Sequence, residues 1–179
     1  LRTASDLGVR TSRIVEGMDT VSDDDAWQLR KREDSVARAS WELDVHPPDD
    51  EPLDPRMFHS RSADYAERAL RTAAGDWFDI PYGSIVARDA DNLLLGGRIV
   101  SSGYLAQGSL RIQQTCMATG QAAGVAAALS LNEDATPREL DPMTVVAQLQ
   151  KDRDVEPAFE APVRKPETRP SGRRMGSPC

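Results

Sequence analysis

The chain is most distinctive between residues 92 and 132, which read N92-LLLGGRIVSSGYLAQGSLRIQQTCMATGQAAGVAAALSL-N132. These residues contain no Asp or Glu, their only cations are Arg98 and Arg111, and they hold six of the chain's 12 glycines. Leu93–Leu95 is a continuous apolar run, which is typical of a strand covered on both faces. Gly96-Gly97 ends this run, so the sequence predicts a buried strand that stops in a tight glycine turn.

A polar loop is predicted after the glycines, as far as Gln114, and then a single helix over Thr115–Leu131. Small residues recur along this helix at helical spacing, so we expect a face that packs closely onto a sheet or a ligand. They are Gly120, Ala123, Gly124, Ala127 and Ala128. Asn132 is a suitable residue to follow the helix. Together these segments predict a βα unit within an α/β to α+β fold.

A ligand site is one interpretation of this unit, because ligands of α/β folds bind where strands end in such turns. The helix N-terminus at Thr115-Cys116 would then favour an anion or a partly negative oxygen. The alternative is a plain βα unit with no ligand. Arg111 either binds a substrate carboxylate or a flavin, or pairs with a carboxylate elsewhere in the chain. Cys116 either has a lowered pKa because it lies at the helix N-terminus, or it is buried and inert.

Upstream, residues 13–21 predict a pair of short strands around Gly17. Ser22 followed by Asp23–Asp25 predicts a capped helix start, and we interpret these acids as a cap and not as a metal site. Residues 35–40 predict a second short helical piece. The alternating residues 41–45 predict a half-buried strand.

The remaining segments have simpler patterns. Residues 46–56, rich in proline and acids, predict a loop, in which His46 is a loop residue and not a base. Residues 62–74 predict a helix ended by Gly75, with Tyr65, Ala69 and Ala73 on one face and an ion pair between Glu67 and Arg71. Phe78–Tyr82 and Ile85–Val86 predict extended segments. Thr136–Glu139 is a capping box, Asp141-Pro142 begins a further helix, and residues 156–179 predict a disordered tail.

Composition narrows the class of protein. The 179 residues suit one domain, or one and a part, and a net charge of −7 argues against general nucleic-acid binding. No apolar run is long enough to cross a membrane. Two cysteines exclude a disulfide scaffold and a cysteine-based zinc site. The two histidines would need carboxylates from elsewhere to bind a metal, and we predict no metal site. The low cysteine count favours a reducing, cytoplasmic location.

Four segments in order resemble one known family: Ile80–Val86, Asp91–Arg98, Gly108–Arg111 and Thr115–Leu129. They are similar to the C-terminal part of bacterial FAD-dependent oxidoreductases of the glutathione-reductase-like flavoprotein fold. The resemblance extends over residues 8–155 and includes the 136–141 segment. It departs from the family in two ways: residues 62–74 look like an insertion, and Tyr104 follows Ser101-Ser-Gly where many relatives carry a histidine.

The resemblance implies a role in binding FAD. It would place Gly97 and Arg98 near the ribityl chain and Gln114, Thr115 and Cys116 near the pyrimidine edge, with Arg111 also at the cofactor. Family members hold the ADP moiety with a Gly-x-Gly-x-x-Gly turn, and no such pattern occurs in this sequence. The chain would therefore be the C-terminal segment of a longer enzyme, with the N-terminal nucleotide-binding half missing.

Three regions follow from this interpretation. Residues 1–90 would form part of a substrate or cap region, residues 91–155 would complete the FAD-binding domain, and residues 156–179 would form the tail. The full-length parent would transfer hydride from a small organic substrate to FAD, with catalytic residues that the sequence does not identify, while this chain alone would bind FAD weakly and be inactive. The alternative function is a stand-alone acidic α+β binding module without catalysis.

Overall fold

A computed structural model describes residues 14–45 and 63–153, and the fold within them is α+β. The elements, in chain order, are α1 (Asp23–Gln28), β1 (Ser35–Ala39), α2 (Ala63–Ala73), β2 (Phe78–Pro81), α3 (Tyr104–Leu110), α4 (Gln113–Glu133) and α5 (Pro142–Arg153), with 3₁₀ turns at Tyr82–Ile85 and Gly97–Ile99. A small sheet and several helices around one core agree with an incomplete domain. The predicted loop over residues 46–56 and the tail beyond residue 155 lie outside the described residues.

The sheet has two antiparallel strands, β1 and β2, in which Ala37 pairs with Ile80 and Ala39 with Phe78. The predicted helix over residues 35–40 is therefore wrong. All four residues of β2 are buried, and β1 presents buried residues to the core around an outward Arg38, so pairing and burial outweigh local helix propensity. The predicted strand over residues 41–45 is also wrong, because the main chain there has no strand partner within the described residues.

The segment before α1 is extended but does not form the predicted pair of strands. Gly17 instead bridges Ala87, and Val21 bridges Ser102, so the segment crosses the later part of the chain. A Cβ on Gly17 would lie 2.7 Å from the carbonyl oxygen of Gly83, which explains the need for glycine at this crossing. The predicted cap of α1 is confirmed, since Ser22 and Asp25 form a complete capping box.

Leu93–Leu95 is not the continuous buried strand that the sequence predicts. Leu94 forms a single antiparallel bridge with Val86, Leu93 is 46% exposed, and Leu95 is buried. The loop predicted up to Gln114 is also wrong in part, because it contains α3. The side chain of Asp23 accepts hydrogen bonds from the main-chain N–H groups of Leu105 and Ala106, and so caps α3 from α1.

The long helix is confirmed as α4, although it begins two residues earlier than predicted and runs to Glu133. Its buried residues are not the predicted small-residue face but Thr115, Thr119, Ala122, Ala126 and Ser130. Gly120 and Gly124 face open space, where an added Cβ would meet nothing within 4 Å. The left-handed residue that ends α4 is Asp134, with φ 52°, and not Asn132.

The remaining helices agree with the sequence patterns only in part. Gly75, with φ 95°, follows the end of α2 as predicted. The predicted face of α2 is not buried as a whole, because Ala73 is exposed and the buried residue is Arg68, and Arg71 pairs with Asp76. Thr136 and Glu139 make the predicted capping contacts, but they close a turn and do not begin a helix. The side chain of Asp141 caps α5, whose Val145, Val146 and Leu149 are buried.

Candidate functional site

The turn at Gly97 lies directly over the first turns of α4. Gly97 has φ 73°, a left-handed conformation that favours glycine, and its N–H donates to the Thr119 hydroxyl at 3.0 Å. A Cβ at this position would approach Cys116 to 3.8 Å. The predicted site residues Gly97 and Cys116 are therefore neighbours, although they lie 19 positions apart in sequence.

Buried Gln107 on α3 holds the next segment in place. Its amide nitrogen donates to the main-chain oxygen of Arg98 at 2.8 Å, and its amide oxygen accepts from Ser102 at 2.7 Å. The main chain of Arg98 is thus fixed, while its side chain is exposed. The sequence does not identify Gln107 or Thr119 as supports, because an uncharged polar residue carries no sign in the sequence of its burial or its partners.

Arg111 is almost completely buried, with 6% of its side chain exposed, and it pairs with Asp44. One guanidinium nitrogen donates to the Asp44 carboxylate at 2.9 Å and to its main-chain oxygen at 2.6 Å. Of the two roles considered for Arg111, the structure therefore supports pairing with a carboxylate elsewhere in the chain. This pair also fixes residues 41–45 against the start of α4.

Arg98 and Arg111 line one cavity of about 270 Å³ together with Trp41, Asp44 and Ile112. Ile112 is the N-cap residue of α4, so the cavity reaches the N-terminus of this helix. Ile112 itself makes no side-chain capping hydrogen bond, and the first turn contains no acidic residue. The cavity therefore combines two cations, one carboxylate and the positive end of a helix dipole.

Cys116 lies in the first helical turns but is not activated. Burial raises the pKa of the thiol above its ordinary value of 9.0, and the positive charge of Arg98 only partly opposes this. The Cys116 Sγ lies 3.7 Å from the Leu110 carbonyl oxygen. The prediction of a lowered pKa for Cys116 is therefore wrong, and Cys116 is better described by the alternative of a buried, inert thiol.

The other predicted site residues are arranged differently. Gln114 lines a separate cavity of about 230 Å³, between β1, α4 and α5. Thr115 is buried, and its carbonyl oxygen accepts from the Thr119 hydroxyl at 3.0 Å. Tyr104 is half-buried at the first position of α3. The structure thus brings Gly97, Arg98, Arg111 and Cys116 together and places the Gln114 side chain elsewhere.

Residues 14–45 and 63–153 contain no group of three or more His, Cys, Asp or Glu side chains arranged to hold a metal ion. In the same ranges, none of the helices has the length and apolar character needed to cross a bilayer. Asp23 and Asp25 instead cap helices, as described above.

Comparison with known proteins identifies the family. Residues 1–152 match the family model described as FAD dependent oxidoreductase. The chain belongs to this family. Members of this family are oxidoreductases that depend on FAD. No curated protein and no solved structure matches the sequence significantly.

Proposed function

We propose that this FAD dependent oxidoreductase segment forms the ribityl and pyrimidine side of a flavin site for hydride transfer from a small organic substrate. The observation that supports this most strongly is that the Gly97 turn lies beside Cys116 in the first turns of α4, while Arg98 lines a cavity that reaches Ile112, the N-cap residue of α4. Bound FAD would supply the hydride acceptor, and the residues of this chain would bind and orient it.

The main-chain donors of α4 suit the carbonyl oxygens of a flavin ring. The N–H of Cys116 already donates to the Ile112 carbonyl at 3.0 Å, so it is used within the helix. The donors that α4 itself leaves unused are the N–H groups before it, including those of Gln114 and Thr115. These amides and the helix dipole would stabilise negative charge at a flavin oxygen. Gly97, which has no side chain, would permit close approach of the ribityl chain.

The ADP half of FAD would have to be bound by other residues. The 179 residues contain no Gly-x-Gly sequence, so they lack the turn that cradles a dinucleotide pyrophosphate. We therefore propose that residues outside this sequence supply the nucleotide-binding half. In this proposal residues 1–90 contribute to the substrate side and residues 91–155 to the flavin side, and the isolated chain binds flavin weakly and turns over nothing.

A comparison of FAD with riboflavin tests this division. Riboflavin contains the ring and the ribityl chain but no ADP, so both ligands should bind the purified chain with similar, weak affinity. The measurement is a titration followed by flavin fluorescence. If FAD bound about a hundredfold more tightly than riboflavin, contacts to the ADP half would be present in this chain and the division would be wrong.

Two glycine variants test the position of the flavin. Gly97→Ala forces a left-handed alanine at the proposed site, whereas Gly75→Ala does so at the end of α2, and both positions have φ above 70°. Each should cost about 1–2 kcal/mol in unfolding free energy. Only Gly97→Ala should weaken riboflavin binding in samples that are still folded. Equal riboflavin affinity in the two variants would place the flavin elsewhere.

A further inference from the structure

We infer that Gln107 is a positioning residue for the flavin, which orients the ribityl chain through the main chain of the turn at Gly97 and Arg98. This inference rests on the proposed function, because that function places the ribityl chain at this turn. Gln107 lies in α3 and is 2% exposed, so it would act without touching the ligand itself.

The amide of Gln107 holds two points of the segment that contains the turn. Its nitrogen donates to the Arg98 carbonyl oxygen at 2.8 Å, and its oxygen accepts from the Ser102 hydroxyl at 2.7 Å. A primary amide has separate donor and acceptor atoms, so both contacts are made at once. Because a buried polar group without a partner is costly, the segment cannot move away from this amide without a loss of stability.

The main chain of Gln107 is itself fixed. Its N–H donates to the Gly103 carbonyl at 3.0 Å, and its carbonyl accepts from the Arg111 N–H at 3.1 Å. Leu105 and Leu110 of the same helix are buried in the hydrophobic core. The side chain of Gln107 therefore projects from a rigid base, which is what a residue that positions a binding loop requires.

Thr119 supports the same turn from a second helix. Its buried hydroxyl accepts from the Gly97 N–H at 3.0 Å and donates to the Thr115 carbonyl at 3.0 Å. Thr119 belongs to α4, however, and the N-terminus of α4 would hold the flavin ring. The side-chain hydrogen bonds of Gln107 both go to residues 98–102. We therefore expect the loss of the Gln107 amide to affect the ribityl chain and not the ring.

A comparison of riboflavin with lumiflavin tests this expectation. Lumiflavin has the same ring with a methyl group in place of the ribityl chain. Gln107→Met keeps the length of the side chain and removes both hydrogen bonds. It should weaken riboflavin binding about three- to tenfold and leave lumiflavin binding unchanged, whereas a purely structural role would weaken both equally. Fluorescence titration of the folded full chain gives both affinities.

Two further variants complete the experiment. Tyr82→Phe is the matched control, since it also leaves a main-chain carbonyl, that of Pro137, without its buried side-chain donor, and it should change neither affinity. Ser102→Ala keeps the Gln107 side chain and removes only the hydroxyl that holds its amide oxygen. It should weaken riboflavin selectively but less than Gln107→Met does, and it provides the same comparison if Gln107→Met fails to fold.

Equal weakening of both ligands, or weakening of neither, would overturn the inference while the proposed function stands. A loss of riboflavin affinity in Tyr82→Phe as large as that in Gln107→Met would also overturn it, because any loss of stability would then have the same effect. If wild type bound neither riboflavin nor lumiflavin, the proposed function would be contradicted, and the inference with it.

Discussion

At the scale of single residues, Cys116 reports on the electrostatics of the candidate site. Burial raises the pKa of its thiol above 9.0, while Arg98 lowers it. The thiolate is the reactive form, so alkylation of Cys116 by iodoacetamide should become rapid only above about pH 9. Replacing Arg98 with Gln removes the favourable cation, so the pH profile should move further to the alkaline side.

The measurement is the rate of alkylation against pH, followed by intact mass, in a Cys179→Ser background that leaves Cys116 as the single cysteine. Arg88→Gln serves as the control, because it removes an equal charge at the exposed ion pair with Glu16. A midpoint well below pH 9 in the Cys179→Ser protein would show a thiol activated by the helix dipole. An unchanged profile in Arg98→Gln would show that the two side chains do not interact.

Sequence alone could identify the charged members of the site but not their partners. Arg98 and Arg111 stood out because no acid lies near them in sequence, and two roles for Arg111 remained open. Its partner Asp44 is 67 residues away, a contact that no local pattern encodes. Gln107 and Thr119 were missed for a related reason, since uncharged polar residues become informative only once their burial is known.

At the scale of secondary-structure elements, the sequence pattern predicted correctly an element that is stabilised mainly by local interactions. Helix α4 is a long, alanine-rich helix without a proline, and it was predicted to within two residues at each end. Helix α3 is short, and its N-terminus is capped by Asp23, which lies about eighty positions earlier. Strand β1 likewise depends on β2, about forty residues later. Tertiary contacts decide both elements.

Two glycine substitutions compare a crowded helix N-terminus, at Gly103, with an open helix face, at Gly124. A Cβ on Gly103 would lie 2.2 Å from the Asp23 carboxylate oxygen that caps α3. Gly103→Ala must therefore displace this cap and should lower the unfolding free energy by about 0.5–2 kcal/mol. Gly124→Ala adds a methyl group to an open face of α4 and should raise it by about 0.5–1 kcal/mol.

Urea unfolding of the two variants measures both effects against wild type. The opposite signs matter more than the sizes, because each variant makes the same chemical change. A stabilising Gly103→Ala would mean that Asp23 does not cap α3 in solution. A destabilising Gly124→Ala would mean that this face of α4 packs against another surface.

At the scale of the whole molecule, one hydrophobic core contains residues from both sides of the proposed boundary near residue 90. Buried residues from β1 and β2 belong to the same cluster as those of α4 and α5, and α4 packs on β1. The substrate-side residues 41–45 are fixed to the flavin-side residues by the Asp44–Arg111 pair. We therefore expect residues 14–45 and 63–153 to unfold together, and the proposed boundary near residue 90 to mark a difference in role and not an independent unit.

Tyr82 offers a test of this cooperativity at alkaline pH, because it ties the turn between α4 and α5 to the core. Its buried hydroxyl donates to the Pro137 carbonyl at 2.7 Å, and burial raises its pKa to about 12 from an ordinary value of 10.0. The unfolded chain releases this proton near pH 10, whereas the folded chain keeps it until about pH 12. Unfolding above pH 10 is therefore coupled to proton release, and stability is lost as pH rises through this window.

Tyr82→Phe should remove that contribution. At neutral pH the variant should be about 1 kcal/mol less stable, since it loses a buried hydrogen bond and leaves the Pro137 carbonyl without this donor. Between pH 10 and 12, however, its stability should fall less steeply than that of wild type, by up to about 1.4 kcal/mol per pH unit. Urea unfolding at a series of pH values, followed by circular dichroism, gives both curves. Parallel curves would show that Tyr82 ionises equally in both states, and that the 136–139 turn is not held to the core through its hydroxyl.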